Sequence, residues 1–196
     1  MASITSILDP SGLDDPYRLE WHIHPQRGQF RQFVRNVDLA IASYQFEQAT
    51  IEIDIAGPAN RISRCSTLLF NLGFCHGDSV LLGDNLAGRM PVHLLFPTPM
   101  RCIGAAVSAD GLAGQAYLAQ CAVKLSDGQW HVVPPQVATL APALGGAGAM
   151  ASAPFMGAVA SPDASIVEAW FDVIDPGNTI DFNQVAINDL FFLPAS

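Results

Sequence analysis

The stretch FNQVAINDLFF, residues 182–192, has the pattern of a strand with one buried face, except at its centre. Val185 and Ile187 alternate with other residues as in such a strand, and apolar residues resume towards the end of the stretch. Asn188 and Asp189 interrupt this alternation. They form either a turn or β-bulge, in which they bond to local backbone, or oxygen ligands for a bound ion. The local explanation is favoured.

Similar apolar or alternating runs recur along the chain, separated by Gly, Pro, Asn and Asp residues. In ATIEIDIAG, residues 49–57, the isoleucines point to one face, whereas Glu52 and Asp54 point to the other. PVHLLFPTP, residues 91–99, and RCIGAAVSA, residues 101–109, are two further predicted strands. Because amphipathic helices do not alternate with these runs, the sequence predicts an all-β fold, an antiparallel two-sheet β-sandwich (jelly roll).

Two segments depart from this pattern. In residues 27–44, RGQFRQFVRNVDLAIASY, apolar residues fall at helical spacing opposite three arginines. This predicts a short N-terminal helix, although the end of the segment also fits a strand. Residues 138–162 are rich in Ala, Gly and Pro and predict a long loop that leads into a strand from Phe155. With no convincing internal boundary, residues 1–196 are expected to form a single domain.

The chain is acidic, with 9 Lys and Arg residues against 18 Asp and Glu residues and a net charge of −9. Nucleic acids and anionic membrane surfaces are therefore unfavourable partners. No apolar run reaches the roughly 18 residues of a spanning helix, so no membrane insertion is expected. The N-terminal MASITSILDPSGLDD lacks the features of a signal peptide. The expected location is extracellular or cell-surface if a leader was removed and cytoplasmic otherwise, and the oligomeric state stays open.

The four cysteines, Cys65, Cys75, Cys102 and Cys121, include no CxxC pair, which argues against a tetrahedral zinc site. Cys65 and Cys75 flank the strand-like STLLFNLGF and are close enough in sequence to form a disulfide in an oxidising compartment. Free, buried thiols are the favoured explanation for the set.

The motif WHIHP, residues 21–25, places His22 and His24 on the same side of a strand, where they offer two nitrogen ligands for a transition metal. A metal-dependent enzyme built on this pair needs a further ligand, and the other histidines are scattered along the chain. The sequence has no G-x-S-x-G nucleophile motif. Non-catalytic binding is therefore favoured over a metal-dependent enzyme.

Aromatic residues offer candidate sugar-binding surfaces, because the C–H faces of sugars stack on aromatic rings while carboxylates and amides bond to the hydroxyls. Trp130 follows the turn-like SDGQ and is the tryptophan expected to be exposed, with a role either as a ligand platform or in structural packing. Tyr117 and Asp127 are the candidate neighbours in the ligand site. Trp170, within SIVEAWFDV, is expected in the core.

Five segments occur in a characteristic order from about Ser66 onward: TLLFNLGF, MPVHLLFPTPMRCIGAAVSA, PFMGAVAS, SIVEAWFDV and FNQVAINDLFF. This order resembles exported bacterial β-sandwich domains of the kind found in exosortase-sorted proteins, which are similar to galactose-binding-like domains and carbohydrate-binding modules. The sequence departs from the family in two respects: IND stands where the family shows IDN, and the C-terminal sorting tail is missing. The resemblance implies a jelly-roll fold and no catalytic residues.

The resemblance also implies a candidate calcium site. Jelly rolls of the carbohydrate-binding type often hold a structural calcium ion between the last strand and an early one, and calcium takes carboxylate, amide and carbonyl oxygens. The corresponding ligands here are Asp189 and Asn188, with Glu52 and Asp54 from an early strand.

These observations lead to the expectation of a non-catalytic domain that binds a glycan, with Ca²⁺ as a candidate structural ion. The alternative is a structural or protein-interaction module of an extracellular or cell-surface assembly, in which the apolar ALGGAGAMASAPFMG, residues 143–157, supplies contact surface. A metal-dependent enzyme that uses His22 and His24 is the lesser alternative.

Overall fold

The computed structural model shows an all-β protein. The residues that it describes are 2–14, 16–19, 21, 30–31, 40–46, 49–55, 60–64, 79–84, 91–109, 115–140, 153–177, 182 and 184–195. Apart from strands, these residues include a 3-10 turn, Pro10–Gly12, which is capped by the side chain of Asp9. No helix within these ranges has the length and apolar character needed to cross a membrane.

Thirteen strands occur in the described residues, numbered in chain order. They are β1 Ile4–Ile7, β2 Tyr17–Leu19, β3 Phe30–Arg31, β4 Ala40–Phe46, β5 Ala49–Ile55, β6 Asn60–Arg64, β7 Ser79–Asp84, β8 Val92–Ala109, β9 Ala116–Leu125, β10 Trp130–Thr139, β11 Phe155–Ala160, β12 Ile166–Ile174 and β13 Gln184–Pro194.

The described strands pair in antiparallel fashion within one sheet, which is nearly barrel-shaped. The main path through the sheet is β10-β9-β12-β8-β13-β7-β6. Three branches leave this path. The first starts at β8 and continues through β11 to β1. The second also starts at β8 and continues through β5 and β4 to β3, and the third is β2, which pairs with β13. The predicted all-β, antiparallel fold is confirmed.

Strand β8 joins the parts of this sheet because its two halves pair with different neighbours. Up to Met100 it pairs with β12 and β5, from Met100 onward it pairs with β13, and from Cys102 onward it pairs with β11. Pro97 and Pro99, which have no backbone N–H, lie where the pairing with β12 shifts register. The two strands predicted at residues 91–99 and 101–109 are one strand of 18 residues, Val92–Ala109.

Alternation along the strands directs one face of the sheet to a common hydrophobic core. In β9, every second residue is buried, namely Tyr117, Ala119, Cys121, Val123 and Leu125. The core cluster collects residues from most of the described chain, from Leu19 in β2 to Phe192 in β13. Because side chains alternate across a strand, the residues between these core positions are left to the outer face.

The interruption at Asn188 and Asp189 is a β-bulge in β13. The pairing with β8 shifts register between Ile187 and Leu190, and Asn188 Oδ1 accepts a hydrogen bond of 3.0 Å from the Asp189 backbone N–H. On the edge that faces away from β8, β13 pairs with β7 before the bulge and with β2 after it. Asp189 Oδ2 accepts hydrogen bonds from Arg18 in β2, through Nε at 2.8 Å and through Nη2. The bulge predicted from the sequence is confirmed.

The predicted N-terminal helix over residues 27–44 is wrong in the part of it that the structure describes. Phe30–Arg31 and Ala40–Phe46 are strands, and β4 pairs with β5 along its whole length. The apolar residues of this segment fit helical spacing, but its last part also alternates as a strand does. Tertiary context decides between the two patterns, because β5 offers β4 a complete row of backbone hydrogen-bond partners.

The predicted loop over residues 138–162 is shorter than expected at both ends. Strand β10 continues to Thr139, and the strand predicted from Phe155 is confirmed as β11. Residues 141–152 lie outside the described residues.

Four residues of interest also lie outside the described residues, namely His22, His24, Cys65 and Cys75. The transition-metal pair and the disulfide therefore stay predictions. Cys102 and Cys121 are free and buried, as predicted. Burial raises the pKa of the Cys102 thiol to about 11 and also raises that of Cys121, so both remain protonated at neutral pH.

Strand β10 stands at the end of the main sheet path and, within the described chain, pairs with β9 alone. Its register shifts around Pro134 and Pro135, and the Gln136 side-chain Nε2 donates to both proline carbonyl oxygens, at 3.2 and 3.1 Å. Val132 and Val137, on either side of this irregularity, are exposed. This edge strand is therefore apolar on its surface but interrupted in its backbone.

Two glycines allow β8 and β11 to approach closely. Gly104 and Gly157 are direct partners across the two strands. A Cβ atom at Gly157 would lie 2.7 Å from the carbonyl oxygen of Ile103, and one at Gly104 would lie 2.4 Å from Cζ of Phe155. A methyl group at Gly157 would meet backbone, which cannot move aside easily, whereas one at Gly104 would meet the tip of the Phe155 side chain. Substitution of Gly157 is therefore harder to accommodate than substitution of Gly104.

We expect Gly157→Ala to destabilise the protein by about 1–3 kcal/mol, because the β8 backbone cannot move away without breaking the pairing. Gly104→Ala is expected to cost less in a Phe155→Leu background than in the wild type, since the shorter side chain leaves room for the new methyl group. Urea unfolding of the single and double variants measures both effects. A Gly157→Ala variant with the stability of the wild type would contradict the close approach.

Candidate ligand-binding site

The outer face of β10, β9, β12 and β8 carries aromatic and charged side chains in two adjacent rows. Strand pairing aligns Trp130 of β10 with Lys124 of β9, and Lys124 with Glu168 of β12. In the next row, Trp170 of β12 is aligned with His93 of β8. Directly paired residues of antiparallel strands point to the same face, so these five residues form one surface, here called the outer-face cluster.

The two tryptophans of the outer-face cluster contact each other and remain exposed. Their ring centroids are 5.7 Å apart with an interplanar angle of 72°, an edge-to-face arrangement. Trp130 is 43% exposed and Trp170 is 40% exposed. The His93 ring lies 4.9 Å from that of Trp170, and Lys124 Nζ lies 5.8 Å from the Trp130 ring centroid. These contacts hold both indole rings in position at the surface.

Glu168 connects the charged members of the cluster to the tryptophan pair. Its Oε1 atom lies 2.7 Å from His93 Nε2 and accepts a hydrogen bond of 3.4 Å from Trp170 Nε1. Its Oε2 atom accepts a hydrogen bond of 3.3 Å from Lys124 Nζ. Because an ionised carboxylate only accepts hydrogen bonds, all three neighbours act as donors.

The surroundings of Glu168 keep its carboxyl group ionised. Partial burial acts to raise the pKa of Glu168, whereas the hydrogen bonds from His93, Lys124 and Trp170 act to lower it. The hydrogen bonds outweigh the burial, and the pKa lies below its ordinary value. The result is a negatively charged acceptor, held by three neighbours, beside an exposed aromatic surface.

The structure places the three residues that the sequence suggested for ligand binding in different surroundings. Trp130 is exposed, as predicted. Asp127 lies in the exposed turn before β10, where its Oδ1 accepts a hydrogen bond of 2.9 Å from the Gln129 backbone N–H. Tyr117 lies in the core and donates its hydroxyl hydrogen to the carbonyl oxygen of Val107 at 3.1 Å. Burial raises the pKa of Tyr117 to about 12.

The expectation that Trp170 belongs to the core is wrong. Along β12, Ala169 and Phe171 are buried, whereas Glu168, Trp170 and Asp172 occupy the alternate positions of the other face. The large apolar side chain of Trp170 suggested burial. Glu168 and Asp172, two positions before and after it, point to the same face of the strand, and their charges indicate that this is the outer face. This alternation was the signal in the sequence that could have identified Trp170.

Three polar members of the cluster were also missed: His93, Lys124 and Glu168. Each lies in a strand whose alternate residues are buried, as in VHLLF around His93 and AYLAQCAVKL around Lys124. The strand pattern therefore indicates that they face outward. Their meeting at one place depends on the register between three strands that are distant in sequence, which no local pattern reveals.

The residues predicted to bind calcium are divided between two parts of the sheet. Asn188 and Asp189 lie at the bulge opposite the second half of β8, whereas Asp54 pairs with its first half and Glu52 precedes Asp54 on β5. The Asp189 carboxylate is engaged by Arg18. In the described ranges, no group of three or more His, Cys, Asp or Glu residues is placed to hold a metal ion. The calcium site stays a prediction.

The fold and the outer-face cluster define an all-β protein with two exposed tryptophans and a fixed carboxylate on one sheet face. No protein-family profile matches the chain, and neither a curated protein nor a solved structure matches it significantly. The resemblance to exosortase-sorted domains therefore stays a prediction, and the function has to be argued from the chemistry of the cluster.

Glu168→Gln is expected to lower stability at neutral pH but not in acid. Because the pKa of Glu168 is lowered in the folded protein, its stabilising contribution is present above the unfolded pKa of about 4.3. It is lost as the pH falls through the folded pKa. Urea unfolding at pH 7 and in steps down to pH 3 should give a difference between wild type and variant that shrinks as the pH falls.

Asp163→Asn provides the matched control for this experiment, since it also removes one negative charge but lies in an exposed turn between β11 and β12. It should leave the pH dependence of unfolding close to that of the wild type. Equal effects of the two substitutions would show that net charge, and not the contacts of Glu168, is responsible.

The predicted calcium site at the bulge can be tested through the melting temperature. An ion at Asp189 has to compete with the Arg18 guanidinium for the same carboxylate. Calcium is then expected to raise the melting temperature of the wild type, with reversal by a chelator, and to leave Asp189→Asn unchanged. A wild-type melting temperature that does not respond to calcium would exclude this ligand set.

Proposed function

We propose that the protein binds a glycan without catalysis, on the outer face formed by β10, β9, β12 and β8. The proposal is carried by one observation: Trp130 and Trp170 lie side by side with about two-fifths of each side chain exposed, at 43% and 40%. Tryptophan is usually well buried, so an exposed pair on a regular strand surface favours a binding role. Sugars are suitable ligands because their C–H faces are apolar and can stack on indole rings.

The charged members of the cluster support a sugar as the ligand. A sugar ring has hydroxyl groups around an apolar face, so its binding site needs donors and acceptors beside an aromatic surface. Lys124 lies against Trp130, and Glu168 bonds to Trp170. A purely apolar partner would leave these charges desolvated without compensation, which disfavours it.

We further propose that the curled sheet is a two-layer jelly roll. The pairing of β8 supports this arrangement, since its first half lies between β12 and β5 and its second half between β11 and β13. A strand shared in this way can contribute to two facing layers, with the core cluster between them. The jelly-roll architecture hosts many functions, so it adds little to the argument for glycans.

A protein-interaction module is the second candidate function. It is favoured by Val132 and Val137, which are 63% and 71% exposed on β10 and extend the apolar surface beyond the tryptophans. A protein partner would cover these valines, whereas a glycan on the outer-face cluster would not need them.

Glycan binding predicts that Trp130→Ala and Trp170→Ala each weaken binding roughly tenfold or more, equivalent to about 1.4 kcal/mol. Loss of one ring removes a stacking surface and the edge-to-face support of the other. Tryptophan fluorescence titrations with a panel of soluble oligosaccharides identify the ligand, and the same titrations measure its affinity for each variant.

Val137→Ala is the control for this experiment, because it removes an exposed apolar side chain away from the tryptophans. Glycan affinity should be unaffected by it. The absence of binding across a broad glycan array would contradict the proposal. A co-purifying protein whose binding depends on Val132 and Val137 would favour the second candidate instead.

A further inference from the structure

We propose that Lys124 and Glu168 act as a pair that recognises two neighbouring hydroxyl groups of one sugar ring. This restricts the ligand to neutral glycan chains whose internal sugars keep a free vicinal diol, as (1→4)-linked hexopyranoses do. The inference rests on the proposed glycan-binding function and specifies its ligand class.

The hydrogen bonds of Glu168 leave one side of its carboxylate available. Oε1 is occupied by His93 at 2.7 Å and by Trp170 at 3.4 Å, whereas Lys124 at 3.3 Å is the partner of Oε2. A carboxylate oxygen has two lone pairs and an ammonium group has three N–H bonds. One acceptor position on Oε2 and further donors on Lys124 Nζ therefore lie next to each other.

The separation of these two atoms suits a diol. Neighbouring hydroxyl oxygens on a pyranose ring are about a hydrogen-bond length apart, close to the 3.3 Å between Lys124 Nζ and Glu168 Oε2. One hydroxyl can donate to Oε2 while the next accepts from Nζ. Lys124 also lies over the Trp130 ring, so a sugar held in this way has its C–H face near the indole. His93 acts as a positioning residue, since it fixes the carboxylate from the opposite side.

The charge of the site selects neutral sugars. Glu168 is ionised, and the chain has a net charge of −9, so a carboxylate or sulfate group on the sugar would be repelled. Lys124 does not reverse this, because its charge is paired with Glu168.

Linkage decides whether the diol is available along a chain. An internal sugar of a (1→4)-linked hexose chain keeps its hydroxyls at C2 and C3, which are neighbours. An internal sugar of a (1→3)-linked chain keeps those at C2 and C4, which are not. The site is therefore expected to bind the first kind of chain and to discriminate against the second.

Three bead-immobilised polymers test this inference in binding assays with the full chain. They are a (1→4)-linked glucomannan, the same glucomannan with its C6 groups oxidised to carboxylates, and a long linear (1→3)-linked glucan. Wild type is expected to bind the first at least tenfold more tightly than the other two. Glu168→Gln and Lys124→Met should each lose this preference, whereas Asp163→Asn should keep it. Melting temperatures confirm that the variants are folded.

The outcomes separate the two proposals. Equal binding to all three polymers, lost in Trp130→Ala but not in Glu168→Gln, would overturn the diol pair and leave glycan binding in place. Preference for the (1→3)-linked glucan or for the oxidised polymer would do the same. Absence of binding to every polymer overturns the diol pair, and only a negative result on the broad glycan array would also contradict glycan binding.

Discussion

The pairing of β8 with its four neighbouring strands is the constraint on which the rest of the structure depends. One strand of 18 residues provides hydrogen-bond partners to β12 and β5 in its first half and to β11 and β13 in its second half. Register is strict wherever one face of a strand is buried, because a slip of one residue would exchange the core face for the solvent face. The register of β8 therefore determines which residues of its neighbours meet, both in the core and on the outer face.

The outer-face cluster illustrates this dependence. His93, Lys124 and Glu168 come from β8, β9 and β12, and their contacts require that all three strands hold a single register. The carboxylate and both indole rings are held in one arrangement by their mutual contacts. Preorganisation of this kind reduces the entropy that binding must overcome. For the proposed glycan ligand, a surface built on strands is therefore better suited than a set of long, mobile side chains would be.

Much of the fold could be predicted from local patterns, and little of the candidate site could. Alternation with intervening turn residues identified the antiparallel all-β architecture and the bulge at Asn188 and Asp189. It failed in the described part of residues 27–44, where helical and strand spacing coincide and the pairing of Ala40–Phe46 with β5 decides. In the site, exposure of Trp130 followed from its adjacent turn. Trp170 was wrongly expected in the core, because its large apolar side chain was weighed above the alternation along β12, and the candidate residue Tyr117 lies in the core. The contacts of Glu168 depend on the register between distant strands, which one sequence does not reveal.

The prolines at the rim of the sheet restrict how β10 can meet another molecule. Pro134 and Pro135 offer no N–H groups, and the Gln136 amide occupies their carbonyl oxygens. An incoming strand would find no continuous ladder there, so growth of the sheet by edge-to-edge addition, the first step towards fibrils, is blocked at this point. The apolar valines of β10 therefore flank a stretch of backbone that is poorly suited to templating a further strand.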